Sequence, residues 1–210
     1  MADEPRTRSV KIGEEERGGW SSERPRREGS PSPPNISVRC RVLTPSDHLR
    51  YSPGSLLVIV SGSGAARDRF AERLIDARSL LSLEKVRRLL AGRVAEAELA
   101  VRAQDVLEAA ILKRLEAGES VVVAADGVDP EERGRYARLA AGAKRPRHLL
   151  LLEAPRGEIG DDDLPALNEL RRRLDAGELG EEGFQTAVRV GGGAVAELKR
   201  ILFQPPPREE

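Results

Sequence analysis

The residues of this chain best suited to chemistry lie in a glycine-containing loop that follows an apolar run. The run extends from Leu56 to Val60, and Ser61-Gly62-Ser63-Gly64 comes directly after it. Such a run predicts a buried strand, and the residues that follow have a helical pattern. Glycines at a strand-to-helix turn let successive backbone N–H groups point inward, and the helix start adds partial positive charge. The loop is therefore a candidate anion site, although a tight turn without a ligand explains the two glycines equally well.

The candidate phosphate-binding segment comprises Ser61, Gly62, Ser63, Gly64, Ala65, Ala66, Arg67 and Asp68. The template G-x-x-x-x-G-K-[ST] has four defining slots, and all four are changed here, to Ser61, Ala66, Arg67 and Asp68. Arg67 is longer and forked, whereas a lysine reaches phosphate oxygens as a point charge. Asp68 replaces the hydroxyl that would hold Mg²⁺ and brings negative charge close to the phosphates. Binding of ATP and Mg²⁺ is therefore predicted to be weak or absent.

Short apolar runs alternate with helical segments from Leu56 onward, a pattern that predicts an α/β fold. The predicted architecture is a three-layer sandwich with a mostly parallel, five-stranded sheet. Its strands are expected at residues 56–60, 79–82, 121–123, 148–152 and 201–203, with the last closing the sheet as an edge strand. Helices are expected through Phe70 and Leu74, at 96–117, from Asp129 through Leu139, at 164–176 and at 181–189. The helix at 96–117 is predicted to bury one face, formed by Leu99, Ala103, Val106, Ala110 and Leu115.

The ends of the chain differ in composition from its middle. Residues 1–50 are predicted to be a disordered tail and linker, with an ambiguous short strand around Val38 to Leu43, because the first 35 residues have almost no aliphatic side chains. Residues 51–204 are predicted to form the folded domain, and residues 205–210 a disordered C-terminus. Trp20 lies in the tail, either as an anchor for a protein partner or as an incidental aromatic residue.

Composition and charge exclude several classes of function. The 35 basic and 35 acidic residues cancel, so no overall field attracts nucleic acid or an anionic membrane. Cys40 is the only cysteine and the two histidines are far apart in sequence, so neither a disulfide nor a metal site is predicted. The apolar runs are far shorter than the ~20 residues that span a bilayer, so no membrane partner and a cytoplasmic location are predicted.

Several segments together resemble a known family. They are Leu56 to Gly64, Leu81 to Arg87, Gly118 to Gly127, and Pro130 to Arg133. In order and spacing they resemble the kinase domain of bacterial polynucleotide kinase-phosphatases and related AAA-type ATP-binding P-loop kinases. The resemblance implies a P-loop NTPase-like fold, ATP and Mg²⁺ as cofactors, and the 5′ end of a nucleic acid as a partner.

The resemblance also implies roles for individual residues. Glu84 falls in the slot of the general base and Arg87 in that of an arginine that binds a nucleic-acid phosphate. An ion pair on an exposed helix surface is an equal alternative for these two residues. The family's third motif falls on Ala124-Ala125-Asp126-Gly127, which loses its acid and amide in register. The possible lid arginines are Arg156, Arg171, Arg172 and Arg173.

The leading functional prediction is a diverged ATP-binding domain, a pseudokinase with a degenerate Walker A loop that is weakly catalytic or non-catalytic. One alternative is an active ATP-dependent kinase of nucleoside or polynucleotide 5′-hydroxyls, with Glu84 as base and Arg87 on the acceptor phosphate. Another is an interaction module that captures a protein partner through its N-terminal tail. Loss of the loop lysine and hydroxyl favours the first, because phosphoryl transfer depends on positioning and charge neutralisation.

Overall fold

The computed structural model describes residues 40–42 and 48–205. Of the predicted N-terminal tail and linker, residues 1–39, with Trp20, and 43–47 lie outside the described residues, and so do the C-terminal residues from 206 onward. The predicted domain boundaries at residues 51 and 204 stay predictions.

The main sheet consists of parallel strands. Its members are β1 (Cys40–Val42), β3 (Leu56–Ser61), β4 (Leu80–Ser82), β5 (Val121–Ala124), β6 (Arg147–Leu152) and β7 (Thr186–Val190), in the order β1-β7-β6-β3-β5-β4. A second parallel sheet pairs β2 (Leu49–Tyr51) with β8 (Ile201–Phe203). The predicted five-stranded parallel sheet is thus confirmed within residues 56–190, and β1 adds a sixth strand at the edge.

Helices cover both faces of the sheet and confirm the three-layer sandwich. They are α1 (Gly64–Leu74), α2 (Leu83–Leu90), α3 (Glu96–Glu116), α4 (Pro130–Gly142), α5 (Leu164–Ala176) and the short α6 (Gly193–Glu197), with 3-10 helices at Arg156–Glu158 and Glu178–Gly180. Helix α4 begins as predicted, since the Asp129 side chain accepts hydrogen bonds from the Glu131 and Glu132 amides.

Strand β3 supplies side chains to the cores on both faces of the sheet. Leu56, Val58 and Val60 pack in a cluster with buried residues of α2, α3, α4 and α5. Leu57 and Ile59 pack on the opposite face, with α1, α6 and the β2–β8 pair. Because successive side chains of a strand point to opposite faces, a continuous apolar run is what a central strand between two helical layers requires.

The prediction of a helix at residues 181–189 was wrong. Residues Thr186–Val190 form strand β7, which pairs with β6 from His148↔Thr186 to Leu152↔Val190. The segment contains β-branched Thr186, Val188 and Val190, which suit a strand, and Gly183 interrupts any helix before it with a φ of 97°. Strand β7 gives the buried backbone of β6 its second hydrogen-bonding neighbour.

The C-terminal strand and the buried face of α3 also differ from the predictions. Residues Ile201–Phe203 pair with β2 and do not close the main sheet, because β1 occupies the position beside β7. Val106 is 45% exposed. The buried residues of α3 recur at every fourth position, namely Ala103, Leu107, Ile111 and Leu115.

Candidate functional site

The candidate site lies at the carboxyl end of β3. This strand is central, with β6 on one side and β5 on the other. Because the strands are parallel, the carboxyl ends of β5 and β6 lie beside that of β3, and from there β5 leads to α4 and β6 to the 3-10 helix at Arg156–Glu158. A parallel sheet binds ligands in the crevice at such a point.

The loop after β3 is short because α1 begins at Gly64. The Ser63 side chain caps the helix by accepting a hydrogen bond from the Ala66 amide at 3.2 Å, and the Ser63 carbonyl accepts from the Arg67 amide at 3.0 Å. The Ser63 amide donates to the Ser61 hydroxyl at 3.2 Å. Three amides of the predicted anion segment therefore already have partners within the segment.

Apolar side chains from a later part of the chain cover this loop. A Cβ atom added at Gly62 would lie 3.0 Å from a Leu167 methyl and 3.1 Å from one of Ile159. Gly62 is therefore a glycine because two side chains approach its backbone closely. The cover also excludes water from one side of the loop.

The side chain of Arg67 passes close to Gly64 and reaches the end of β5. Its side chain is 5% exposed, and its Nη1 atom donates to the Ala125 carbonyl oxygen. Its Nε and Nη2 atoms lie 2.9 and 2.8 Å from Oδ1 of Asp68. The residues in the lysine and hydroxyl slots of the template thus neutralise each other.

Glu158 places a carboxylate at the start of α1. Its Oε2 atom accepts a hydrogen bond from the Ser63 hydroxyl at 3.4 Å and one from Nη2 of Arg69 at 2.8 Å. Negative charge near a helix N-terminus is favourable, and this is where an anionic ligand would also gain most. The chain's own carboxylate therefore stands beside the predicted anion position.

A cavity of about 540 Å³ opens beside α1, and we call it the apolar pocket. Its walls are Ala66, Arg69, Phe70 and Arg73 of α1, residues 152–155 with Glu158, and Gly192, Val195 and Ala196. Arg73 closes one end, because its guanidinium donates to the carbonyl oxygens of Val195 and Ala196. The volume lies within the range of roughly 300 to 1,000 Å³ that is usual for small-molecule sites.

Glu153, on the wall of the apolar pocket, is held by two arginines. Nε of Arg171 lies 3.0 Å and Nε of Arg189 2.7 Å from its Oε1 atom, and Nη2 of Arg171 donates to Oε2. Burial acts to raise the pKa of Glu153, but the hydrogen bonds and charges of the two arginines outweigh it and hold the pKa below its usual value. Glu153 is therefore a carboxylate at neutral pH with most of its acceptor capacity already used.

The predicted lid arginines all pair with acidic residues of the same region. Arg156 lies 2.8 Å from Asp161, and Arg171 pairs with Glu153. The remaining pairs are Arg172 with Glu169 and Glu178, and Arg173 with Glu178, Glu181 and Glu182. In this conformation these guanidinium groups hold α5 and its surroundings together.

The predicted catalytic residues lie on α2 but do not pair with each other. Glu84 is exposed and forms an i,i+4 pair with Arg88 at 3.4 Å. Arg87 lies 2.8 Å from Oδ2 of Asp126, at the carboxyl end of β5. The Asp126 amide in turn donates to the carboxylate of Glu132, at 2.9 and 3.1 Å from its two oxygens.

A second, much smaller cavity lies on the other side of α1. We call it the polar cavity; its volume is about 20 Å³, and Asp68, Glu72, Leu80, Ser82, Lys85, Arg88 and Ala124 line it. That volume holds about one water molecule. Neither Glu84 nor Arg87 lines it.

Sequence reasoning missed Glu153, Glu158 and Arg69. Glu153 follows the predicted fourth strand directly, so its place at the edge of a parallel sheet was the signal that could have found it. Glu158 and Arg69 carry no motif. Their proximity depends on how the 3-10 helix packs against α1.

A family model described as an AAA domain matches residues 56–162, which include the loop, both α2 residues and Glu158. The solved structure of the Deinococcus radiodurans tunicamycin resistance protein aligns with 68% of this chain and 91% of that chain, with 16% sequence identity and a TM-score of 0.38. A search of curated proteins found no match. Within the described part of the chain, no helix is both long and apolar enough to cross a membrane.

Proposed function

Because the chain belongs to the AAA domain family and has a P-loop kinase-like domain, we propose that it binds nucleotides with weak or absent phosphoryl transfer. One observation carries the proposal: the buried guanidinium of Arg67 is bound to the Ala125 carbonyl and to Asp68. A kinase directs a positive charge at the transferred phosphoryl group, but here the charge of Arg67 is already neutralised by Asp68. Phosphoryl transfer depends almost entirely on such positioning and charge stabilisation.

The residues at the loop do not fit a magnesium-bound triphosphate. Asp68 takes the place of the Mg²⁺-binding hydroxyl, and its carboxylate is already paired with Arg67. No phosphoryl-transfer step is therefore assigned to these residues.

The apolar pocket supports the binding half of the proposal. It adjoins the loop, because Ala66 and Glu158 are common to both regions. Phe70 and Val195 offer apolar surface to a nucleobase, while the partly exposed carboxylate of Glu158 offers a hydrogen-bond acceptor. Base and sugar can be held there without the loop contacts that a triphosphate needs.

The test separates binding from catalysis. The protein is incubated with γ-labelled ATP, Mg²⁺ and a 5′-hydroxyl oligonucleotide, and adenosine and ATP are titrated calorimetrically in parallel. We expect saturable heat with at least one of the two ligands and label transfer no greater than in a blank without protein. Transfer that Glu84→Ala abolishes would support the active kinase instead, and the absence of heat with both ligands would contradict the proposal.

A further inference from the structure

We infer that the apolar pocket selects a nucleoside over a nucleoside triphosphate and that Glu158 sets this preference, an inference that rests on the proposed function. The preference follows from the charges at the mouth of the pocket. Glu158 contributes to the pocket wall and also contacts Ser63, the capping residue of α1. A phosphate chain running from the pocket to the loop must pass this carboxylate.

The cations around the pocket are already engaged. Among the described residues that line it, Arg69 pairs with Glu158 at 2.8 Å, and Arg73 donates to two backbone carbonyls of α6. Arg67, at the loop, is bound to Asp68 and to the end of β5. Each of these guanidinium groups is already partly neutralised by a carboxylate or satisfied by a carbonyl, so a phosphate entering here gains less than it would from an unpaired arginine.

The same charges favour the binding of a sugar. Ionised carboxylates accept hydrogen bonds and do not donate them, which suits the hydroxyl groups of ribose. Oε2 of Glu158 bonds to Arg69 and Ser63, and the side chain is 39% exposed, so it retains acceptor capacity towards the pocket. The same carboxylate therefore attracts a ribose hydroxyl and repels a phosphate oxygen.

Glu158 is thus a specificity-determining residue rather than a catalytic one. Replacing it with glutamine keeps its size and a hydrogen-bonding group but removes the charge. The change also releases Arg69 from its ion pair, which adds to the gain for a phosphate. Both effects act in the same direction, in favour of the triphosphate.

The experiment is calorimetric titration of the whole chain with adenosine and with ATP plus Mg²⁺. The wild-type protein is expected to bind adenosine about tenfold or more tightly than ATP, and Glu158→Gln is expected to reduce that ratio about tenfold, mainly by tightening ATP. Glu72→Gln is the matched control, because Glu72 is also exposed and lies on α1 but lines the polar cavity. It changes the net charge equally and should leave the ratio unchanged.

Three results would overturn the inference. Wild-type protein that binds ATP as tightly as adenosine would leave the proposed function standing and remove the preference. Equal effects of Glu158→Gln and Glu72→Gln would show that net charge, not the position of Glu158, sets the ratio. Binding of neither ligand would overturn the inference and the proposed function together.

Discussion

Helix α1 separates two cavities of very different kind. Ala66, Arg69, Phe70 and Arg73 face the apolar pocket of about 540 Å³, whereas Asp68 and Glu72 face the polar cavity of about 20 Å³. A kinase must hold a phosphate donor on one side of its loop and an acceptor on the other. On the function proposed above, a nucleoside binds on the open side, while the charged residues on the other side leave space for about one water molecule. The same fold can therefore bind a nucleoside without catalysing phosphoryl transfer.

The largest expected effect comes from filling the apolar pocket. Ala196 is exposed and lines the pocket, so Ala196→Trp places an indole in the space for the ligand. We expect adenosine affinity to fall about 100-fold or more, because the ligand and the indole compete for the same volume. Calorimetric titration measures this. Ala97→Trp, at an exposed alanine on α3, should bind adenosine as the wild type does, and equal losses in both variants would contradict the location of the site.

The stability of the protein should depend on pH through His148, which lies near the amino end of β6, at the opposite end of the strands from the candidate site. His148 begins the buried part of β6 and stacks against Tyr51 with ring centroids 4.6 Å apart. Burial, and to a lesser degree the charge of Arg147, lowers the pKa of His148 from 6.5 to about 4. The unfolded chain therefore binds more protons between these values, and the free energy of unfolding should fall by about 3 kcal/mol as the pH drops from 6.5 to 4.

Two matched variants check this pH dependence by urea denaturation. His148→Asn keeps a group that can bond to the Thr186 hydroxyl, which now lies 2.8 Å from Nδ1, and it should lose most of the slope between pH 6.5 and 4. His48 is exposed, so His48→Asn should keep the slope. A slope that survives in His148→Asn would assign the acid sensitivity to other groups.

Arg67 lies between the two cavities and is expected to act on stability more than on binding. Arg67→Met leaves the Ala125 carbonyl without its donor and Asp68 without its partner. We expect the free energy of unfolding to fall by about 2 kcal/mol, the usual penalty for a buried group left unpaired, and adenosine affinity to change less than threefold. The control Arg69→Met breaks an exposed pair and should cost less than about 1 kcal/mol. Loss of binding in Arg67→Met without loss of stability would mean that Arg67 contacts the ligand.

The smallest effects are expected on the acceptor side. Glu84→Ala and Arg87→Ala each remove one exposed or partly exposed ion pair, with Arg88 and Asp126 respectively. Each should change the free energy of unfolding by less than about 1 kcal/mol and leave adenosine binding unaltered. Denaturant titration and calorimetry check both statements. A large loss of nucleotide-dependent activity in either variant would restore these residues to a catalytic role.

The sequence was sufficient to predict the central strands of the sheet but not the strands beyond β6. Continuous apolar runs such as 56–60 identify central strands, because only a strand buried on both faces requires them. The strand at 186–190 was missed, since Glu181, Glu182 and Ala187 are also good helix formers. β8 was placed in the wrong sheet because its partner, β2, is distant in sequence.

In the candidate site, too, the sequence predicted the local features but not the contacts between distant residues. The loop position followed from the strand and the two glycines, which are local features. The contact of Arg67 with Ala125 joins residues 58 positions apart, and that of Ser63 with Glu158 joins residues 95 apart. No local pattern encodes such contacts, because they depend on how separate elements pack.

The central claim is that ligand binding is confined to one side of α1, and backbone amide chemical shifts measured during titration test it most directly. With adenosine, and more weakly with ATP and Mg²⁺, we predict shifts at Ala66, Phe70 and Val195 and none at Ser82, Lys85 or Asp126. Shifts at the second set on addition of ATP and a 5′-hydroxyl oligonucleotide would contradict the account, because they would show an acceptor held where the protein should be closed.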